Sequence, residues 1–294
     1  MFYGYGILNN HVPTLKATVM GSIVWDADAL SFIASASITD ATQKSAVNTL
    51  VKDLKTASIW TKMKAIYPMI GGSASSHKFN LKDPRDLDAA FRLTFSGGWA
   101  HSSTGALPNG TTAYANTFLS PLTHLTLFQS HLSYCSRTSA LPLGYQAFMG
   151  AYSRSSENCY TGNGNLSIAI NCATSNLFCP QHSEISLTHA AYKLSTTDTL
   201  GFHLNTRTSS ATNSLKFFKN GTLLGQSSTN SGGEYLNDQS IYLGAYHTKY
   251  VGFDNPQQYT DRECSFSSIG AGLTDAESLN FYNAVNTFNT TLGR

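Results

Sequence analysis

The apolar positions of this chain change period near residue 77. Before it they recur at helical spacing, and after it they alternate. In DADALSFIASASI, Asp26 or Asp28 can cap a helix carrying Leu30, Ile33, Ala34 and Ser37 on one side. In TDATQKSAVNTLVKDLKTA, Asp40 can cap with Gln43 at the capping-box position, and Val47, Leu50, Val51 and Leu54 form a stripe. SIWTKMKAIYP predicts a short third helix with Ile59, Met63 and Ile66 on one side, stopped by Pro68. GGSASS, at 71–76, is a break.

Beyond it come short two-period runs separated by Gly, Asn and Ser. AFRLTF puts Phe91, Leu93 and Phe95 on one face, and HLTLFQSHLSYCSR, GYQAFMGAYS, NLSIAINC, HAAYKLS, LGFHLNTRT, QSIYLGAYH and RECSFSSIG continue the series. LKFFKNGTLLG is the clearest unit: Asn220-Gly221 between two strands predicts a type I′ hairpin, with both turn residues at positive φ. The tail becomes helical again: Thr274 and Glu277 fit a capping box, Phe281, Tyr282, Val285 and Phe288 line one face, and Gly293 ends it. These patterns predict a mainly β protein. It is an antiparallel sandwich with an N-terminal helical segment and a C-terminal capped helix. Three parts follow: an attachment arm over 1–24, a helical adaptor over 25–76, and a sandwich with its helix over 77–294.

Composition supports this. Of 294 residues only 12% are charged while 41% are hydrophobic, so Ser, Thr, Asn and Gly must build the surface, as suits strands and turns. A net charge of +2 without a like-charge block argues against a nucleic-acid partner. No apolar run reaches the roughly 20 residues of a membrane span. The N-terminus lacks the basic and apolar regions of a secretory signal, which predicts a chain made in a cytosol. The Asn109-Gly110-Thr111 and Asn220-Gly221-Thr222 sequons are therefore read as turns. Five cysteines leave at least one thiol unpaired; buried reduced thiols are expected, with a Cys172–Cys179 link as the alternative.

The order of elements resembles the concanavalin A-like (laminin G-like) jelly rolls. There a strand–Asn-Gly–strand hairpin precedes a strand ending near Gly, and a last strand runs into a capped helix, here RECSFSSIGAGLTDAESLNFYNAV. The whole chain also resembles virion structural proteins of bacterial viruses, through residues 26–72, KFNLKDPRDLDAAFRLTFSGGWAHSSTGALPNGTTAYA and RECSFSSIGAGLTDAE. That resemblance implies a fibre- or spike-type protein made in the host cytoplasm. Its N-terminal part would meet other virion proteins, its sandwich would meet a host glycan or receptor, and it would trimerise by analogy. It brings no catalytic mechanism and no cofactor.

Sugars are held by aromatic faces and planar polar side chains. AYHTKYVGFDNPQQY concentrates Tyr246, His247, Tyr250, Phe253 and Tyr259, and SGGWAHSSTG offers Trp99 and His101. These seven are the candidate binding residues. Packing under their own loops is the alternative. A glycoside hydrolase needs two facing carboxylates. Jelly-roll glucanases carry them as Glu-x-Asp-x-x-Glu on one strand, a run this chain lacks; Asp261 and Glu263 are its nearest approximation. Asp254, Asn255 and Asp261, or Asp83, Asp86 and Asp88, offer oxygen ligands for calcium, but turn-forming roles explain them as well and no metal is assigned. A non-enzymatic binding protein is the expectation. A polysaccharide depolymerase and a purely structural decoration or vertex protein are the alternatives.

Overall fold

In a computed structural model of the chain, residues 24–153, 164–171, 177–178, 181–182, 194–227, 236–250 and 252–294 are described. Residues 1–23 of the 1–24 arm, and Cys159, Cys172 and Cys179, lie outside them. The helices are α1 (Ala27–Ser35), α2 (Ala41–Thr56), the single turns α3 (Ala74–His77) and α4 (Pro121–His124), and α5 (Asp275–Thr291). Among these described residues the expected antiparallel sandwich is present as two sheets, of eight and of ten strands.

The first sheet has eight strands: β1 (Met63–Tyr67), β3 (Trp99–His101), β4 (Ala106–Pro108), β6 (Ser130–Ser136), β12 (Gly201–Arg207), β13 (Leu215–Lys219), β14 (Thr222–Gln226) and β18 (Cys264–Gly270). Its order is β14-β13-β12-β6-β18-β4-β3, with β1 also on β18. The second has ten: β2 (Thr94–Ser96), β5 (Tyr114–Asn116), β7 (Gln146–Ser153), β8 (Gly164–Ile170), β9 (Leu177–Phe178), β10 (Gln181–His182), β11 (Leu194–Ser195), β15 (Tyr242–Leu243), β16 (Tyr246–Tyr250) and β17 (Phe253–Gln257). Its path is β11-β9-β8-β7-β15-β5-β2, with β16 parallel to β7 and β17 on β16.

Alternation along the strands divides the apolar residues between two cores. Between the sheets, Leu132, Tyr134, Leu215, Phe217 and Ile269 meet Phe148, Met149, Leu166 and Ile168. On the other face of the eight-stranded sheet, Phe202, Leu204, Phe218 and Phe266 meet Phe32 of α1, Leu50 and Leu54 of α2, and Phe281 and Phe288 of α5. The helices thus cover that face. The polar positions of β6 are therefore buried and must be hydrogen-bonded. His131 Nδ1 donates to Ala271 O at 2.6 Å, its Nε2 lies 3.0 Å from Ser268 Oγ, and Ser268 Oγ lies 2.7 Å from Ser133 Oγ.

Local signals hold at the caps. Asp26 caps α1 by accepting from Asp28 N, Asp40 caps α2 by accepting from Gln43 N, and Thr274 with Glu277 closes a capping box on α5. The whole Val47, Leu50, Val51 and Leu54 stripe is buried. The α1 face is rotated from expectation: Ala29, Phe32 and Ile33 are buried, while Leu30 is exposed. The predicted third helix is a strand. A 3-10 turn at Trp60–Lys62 leads into β1, antiparallel to β18. Its residues serve both cores, Ala65 and Tyr67 between the sheets and Met63 and Ile66 under the helices, so the apolar spacing mimics a helical stripe. The strand expected over Phe91–Phe95 begins only at Thr94, because Phe91 takes a left-handed φ of 59° after the Asp88–Ala90 turn.

Candidate functional site

The outer face of the ten-stranded sheet, away from the helices, carries a cleft of about 240 Å³. The β16–β17 hairpin builds much of it. Tyr246 pairs with Gln257, Thr248 with Asn255 and Tyr250 with Phe253, so these six share one face of the hairpin. Tyr246, Thr248, Tyr250 and Gln257 line the cleft with Gln258, and Tyr145, Tyr152 and Asn165, from β7, β8 and the residue before β7, complete the lining. The backbone of Gln258 is pinned by Ala147 N at 2.7 Å.

Tyr246 is the buried floor. Its hydroxyl lies 2.7 Å from Ser167 Oγ, and its ring meets Tyr145 edge-on at 5.9 Å. Gly150 permits this seat: a Cβ there would stand 2.6 Å from Ser167 Cβ and 3.0 Å from Tyr246 Cε1. Burial raises the pKa of both Tyr145 and Tyr246, so both phenols stay protonated through neutral pH. Tyr250 differs in being 40% exposed, at the hairpin's end. Phe253 stacks on it.

The other predicted residues go elsewhere. His247 is on the opposite face of β16, stacked on Tyr242 at 4.0 Å, with Nδ1 donating to Ser240 O at 2.9 Å and Nε2 2.8 Å from Asp254 Oδ1. Tyr259 is half-buried near Tyr114 and does not line the cleft. Trp99 packs against the intersheet core, and its Nε1 donates to Ser96 O and Tyr114 O, both at 3.1 Å. His101 Nδ1 meets His77 Nδ1 at 2.9 Å. The structure therefore brings Tyr246 and Tyr250 together, backed by Phe253, but not Trp99, His101, His247 or Tyr259. Sequence reasoning missed Tyr145, Tyr152 and Asn165, which reach the cleft only through β7–β8 pairing. The one available signal was the Tyr at each end of YQAFMGAY.

Neither carboxylate of the hydrolase alternative lines the cleft. Glu263 Oε1 accepts from Thr104 Oγ1 at 2.5 Å, and Asp261 Oδ1 meets Arg262 Nη2 at 2.8 Å. The acidic run near 83–88 is neutralised by cations: Asp83 by Arg85, Asp86 by Lys78 and Arg92, and Asp88 by Arg92. Among the described residues no three His, Cys, Asp or Glu side chains stand close enough to hold a metal. Among them, too, no helix is long and apolar enough to cross a membrane. Cys135 and Cys264 are free thiols.

Solved structures that match this chain do so at low sequence identity. A Trypanosoma rangeli sialidase, solved with 2,3-difluorosialic acid as a covalent intermediate, matches with TM-score 0.51 at 14% identity, covering 81% of this chain. The likeness is one of fold. The match spans 38% of the sialidase's own length. A botulinum neurotoxin type C structure, described in terms of cell entry through two ganglioside molecules, matches at TM-score 0.45 and 10% identity, over 78% of this chain and 53% of its own. Domain 4 of a GH43 extracellular arabinanase from Geobacillus stearothermophilus, in complex with arabinotriose, matches at 0.39 and 13%, over 75% of this chain and 98% of its own. No protein-family model and no curated protein matches the sequence.

Proposed function

We propose that this chain is a non-catalytic carbohydrate-binding protein that seats its ligand in the tyrosine cleft. The observation that carries the reading is the lining itself: four tyrosines with Asn165, Thr248, Gln257 and Gln258 in one concavity. Aromatic faces cover the C–H faces of a sugar, and planar amides both donate to and accept from its hydroxyls. Asp261 and Glu263 lie outside the cleft, bound to Arg262 and Thr104, which supports binding without hydrolysis. In the virion setting that the sequence resemblance implies, the sandwich would hold a host-surface glycan while the N-terminal part meets the particle.

The test is a glycan panel probed with the full chain and with Tyr250→Ala. Tyr250 is 40% exposed, so the variant is expected to fold. The expected result is loss of at least about fivefold in affinity, since stacking of a ring on an aromatic face is worth roughly 1–3 kcal/mol. Release of reducing ends from a polysaccharide by the wild-type chain, abolished in Glu263→Gln, would overturn the non-catalytic reading.

A further inference from the structure

We infer that the cleft selects a neutral glycan, one or two sugar rings at a chain end, and rejects the same glycan bearing a carboxylate. The inference rests on the glycan reading of this cleft and adds the substrate class. Its first ground is where the hairpin's charges point. Lys249 pairs across the strands with Asp254, and both lie on the face opposite Tyr246, Thr248 and Tyr250. Both are also engaged there: Lys249 Nζ stands 3.8 Å from Asp238, and Asp254 2.8 Å from His247 Nε2. Strand alternation thus gives one face of the hairpin its charges and the other its hydroxyls, amides and rings.

The second ground is electrostatic. Among the described residues, the lining carries no cation. From the described lining, a sialic or uronic carboxylate entering it would give up water without gaining the paired guanidinium or ammonium that offsets desolvation. Tyrosine rings make matters worse for it, because their faces are negative. A neutral ring meets the same faces through its C–H groups, and its hydroxyls meet Gln257, Gln258 and Asn165. The third ground is size. At about 240 Å³ the cleft is below the ~300–1,000 Å³ of drug-sized pockets, which suits a chain end over a long oligosaccharide.

The experiment presents the full chain with immobilised oligosaccharides ending in glucose, galactose or N-acetylglucosamine, and with the same chains ending in sialic or glucuronic acid. Binding is read at about 50 and about 500 mM salt, because a charge-driven contact is screened over that range. The expected result is binding to one or more neutral ends, at least about tenfold weaker binding to the acidic ends, and less than about twofold change with salt. Gln257→Arg should shift the preference toward the acidic ends. Binding confined to acidic ends, or lost at high salt, overturns this inference and leaves the glycan reading standing. No binding to any member overturns the glycan reading, and this inference with it.

Discussion

The rings of Tyr250 and Phe253 lie parallel within 5°, their centroids 4.7 Å apart, as cross-strand partners on β16 and β17. Phe253 is only partly buried and is not among the residues lining the cleft, yet it fixes the plane in which Tyr250 presents its ring. An aromatic pair of this kind is worth about 0.5–1.5 kcal/mol. Phe253→Ala should therefore weaken glycan binding roughly 2–10-fold by releasing Tyr250, with Phe253→Tyr restoring it. Titration calorimetry on the two variants checks this; equal loss in both would point to a direct contact instead.

Gly150→Val should damage the cleft from beneath. The new Cβ would come 2.6 Å from Ser167 Cβ and 3.0 Å from Tyr246 Cε1, on a fully packed strand. Overpacking of this sort costs typically about 1–3 kcal/mol. Both a lowered melting temperature and lost binding are expected, whereas Tyr250→Ala, which removes only a stack at an exposed hairpin end, should lose binding with a much smaller drop in melting temperature. Thermal melts beside binding curves separate the two.

The hairpin at Asn220-Gly221 belongs to the fold and not to the site. Both residues have positive φ, 50° and 75°, as a type I′ turn requires. The turn is docked from two sides: Asn220 Oδ1 accepts from Phe202 N at 2.8 Å, and a Cβ on Gly221 would stand 2.7 Å from Tyr282 Cδ1 of α5. Gly221→Val combines backbone strain with that clash and should cost roughly 2–4 kcal/mol. Binding by whatever remains folded should be unchanged. A stable variant that had lost binding would sink this assignment.

What the sequence made legible follows from range. Caps, the Asn-Gly turn and the α2 stripe depend on residues three or four apart, and they stand as read except that Gln43 gives Asp40 only its backbone N–H and does not complete a capping box. The β1 segment was misread because it lies between two cores, with Ala65 and Tyr67 in one and Met63 and Ile66 in the other. Trp99 and His247 stand among the candidates because an aromatic in a Gly-rich or polar loop gives no hint of its partner. Their partners, Tyr114 O and Tyr242, come from strands that only the sheet topology brings near. Tyr145 and Tyr152 escape notice for the same reason in reverse, with only the Tyr at each end of YQAFMGAY to hint at them.

Acid should destabilise the chain well above the carboxylate range. Burial pushes the pKa of His77 down to about 3, that of His131 to about 4 and that of His203 to about 3. Neighbouring cations act in the same direction, Arg294 on His77, Lys62 on His131 and Lys219 on His203. All three are neutral in the folded state, while the unfolded chain binds protons below about 6.5. Their contribution is therefore complete above pH 6.5 and declines as pH falls from there toward 4 and 3. The slope approaches about 1.4 kcal/mol per pH unit for each histidine. Denaturant melts from pH 7.5 to 5 should show it, before any lowered aspartate titrates. A flat profile over that window would contradict the assignment.

His203 allows a sharper version. It sits among Phe148, Phe178 and Phe217 in the intersheet core, and neither ring nitrogen has a hydrogen-bond partner. An unsatisfied buried polar group costs about 1–3 kcal/mol, so an apolar side chain of similar size should be better there. His203→Leu is expected to stabilise the protein at pH 7 by roughly 1–2 kcal/mol. It should also remove about a third of the acid slope just described. Stabilisation without the change in slope would place the acid sensitivity elsewhere.

Arg294 ties three separate segments, at Pro68–Met69, Ser103 and Ser265, to the end of α5. Its Nη1 donates to Pro68 O and Ser265 O, both at 3.1 Å, while Nη2 donates to Met69 O at 2.7 Å and Ser103 O at 2.8 Å. Burial lowers its pKa to about 10, which leaves it charged at neutral pH. The planar fork reaches all four carbonyls at once; a lysine ammonium, with three donors on one atom, cannot. Arg294→Ala and Arg294→Lys should therefore both destabilise, by roughly 2–4 kcal/mol for the alanine and somewhat less for the lysine. Glycan binding at 25 °C should be unaffected, because none of these carbonyls belongs to the cleft-lining residues. Melting curves of the two variants test the fork directly: full rescue by lysine would mean that charge alone, and not the guanidinium's geometry, holds the end of α5 in place.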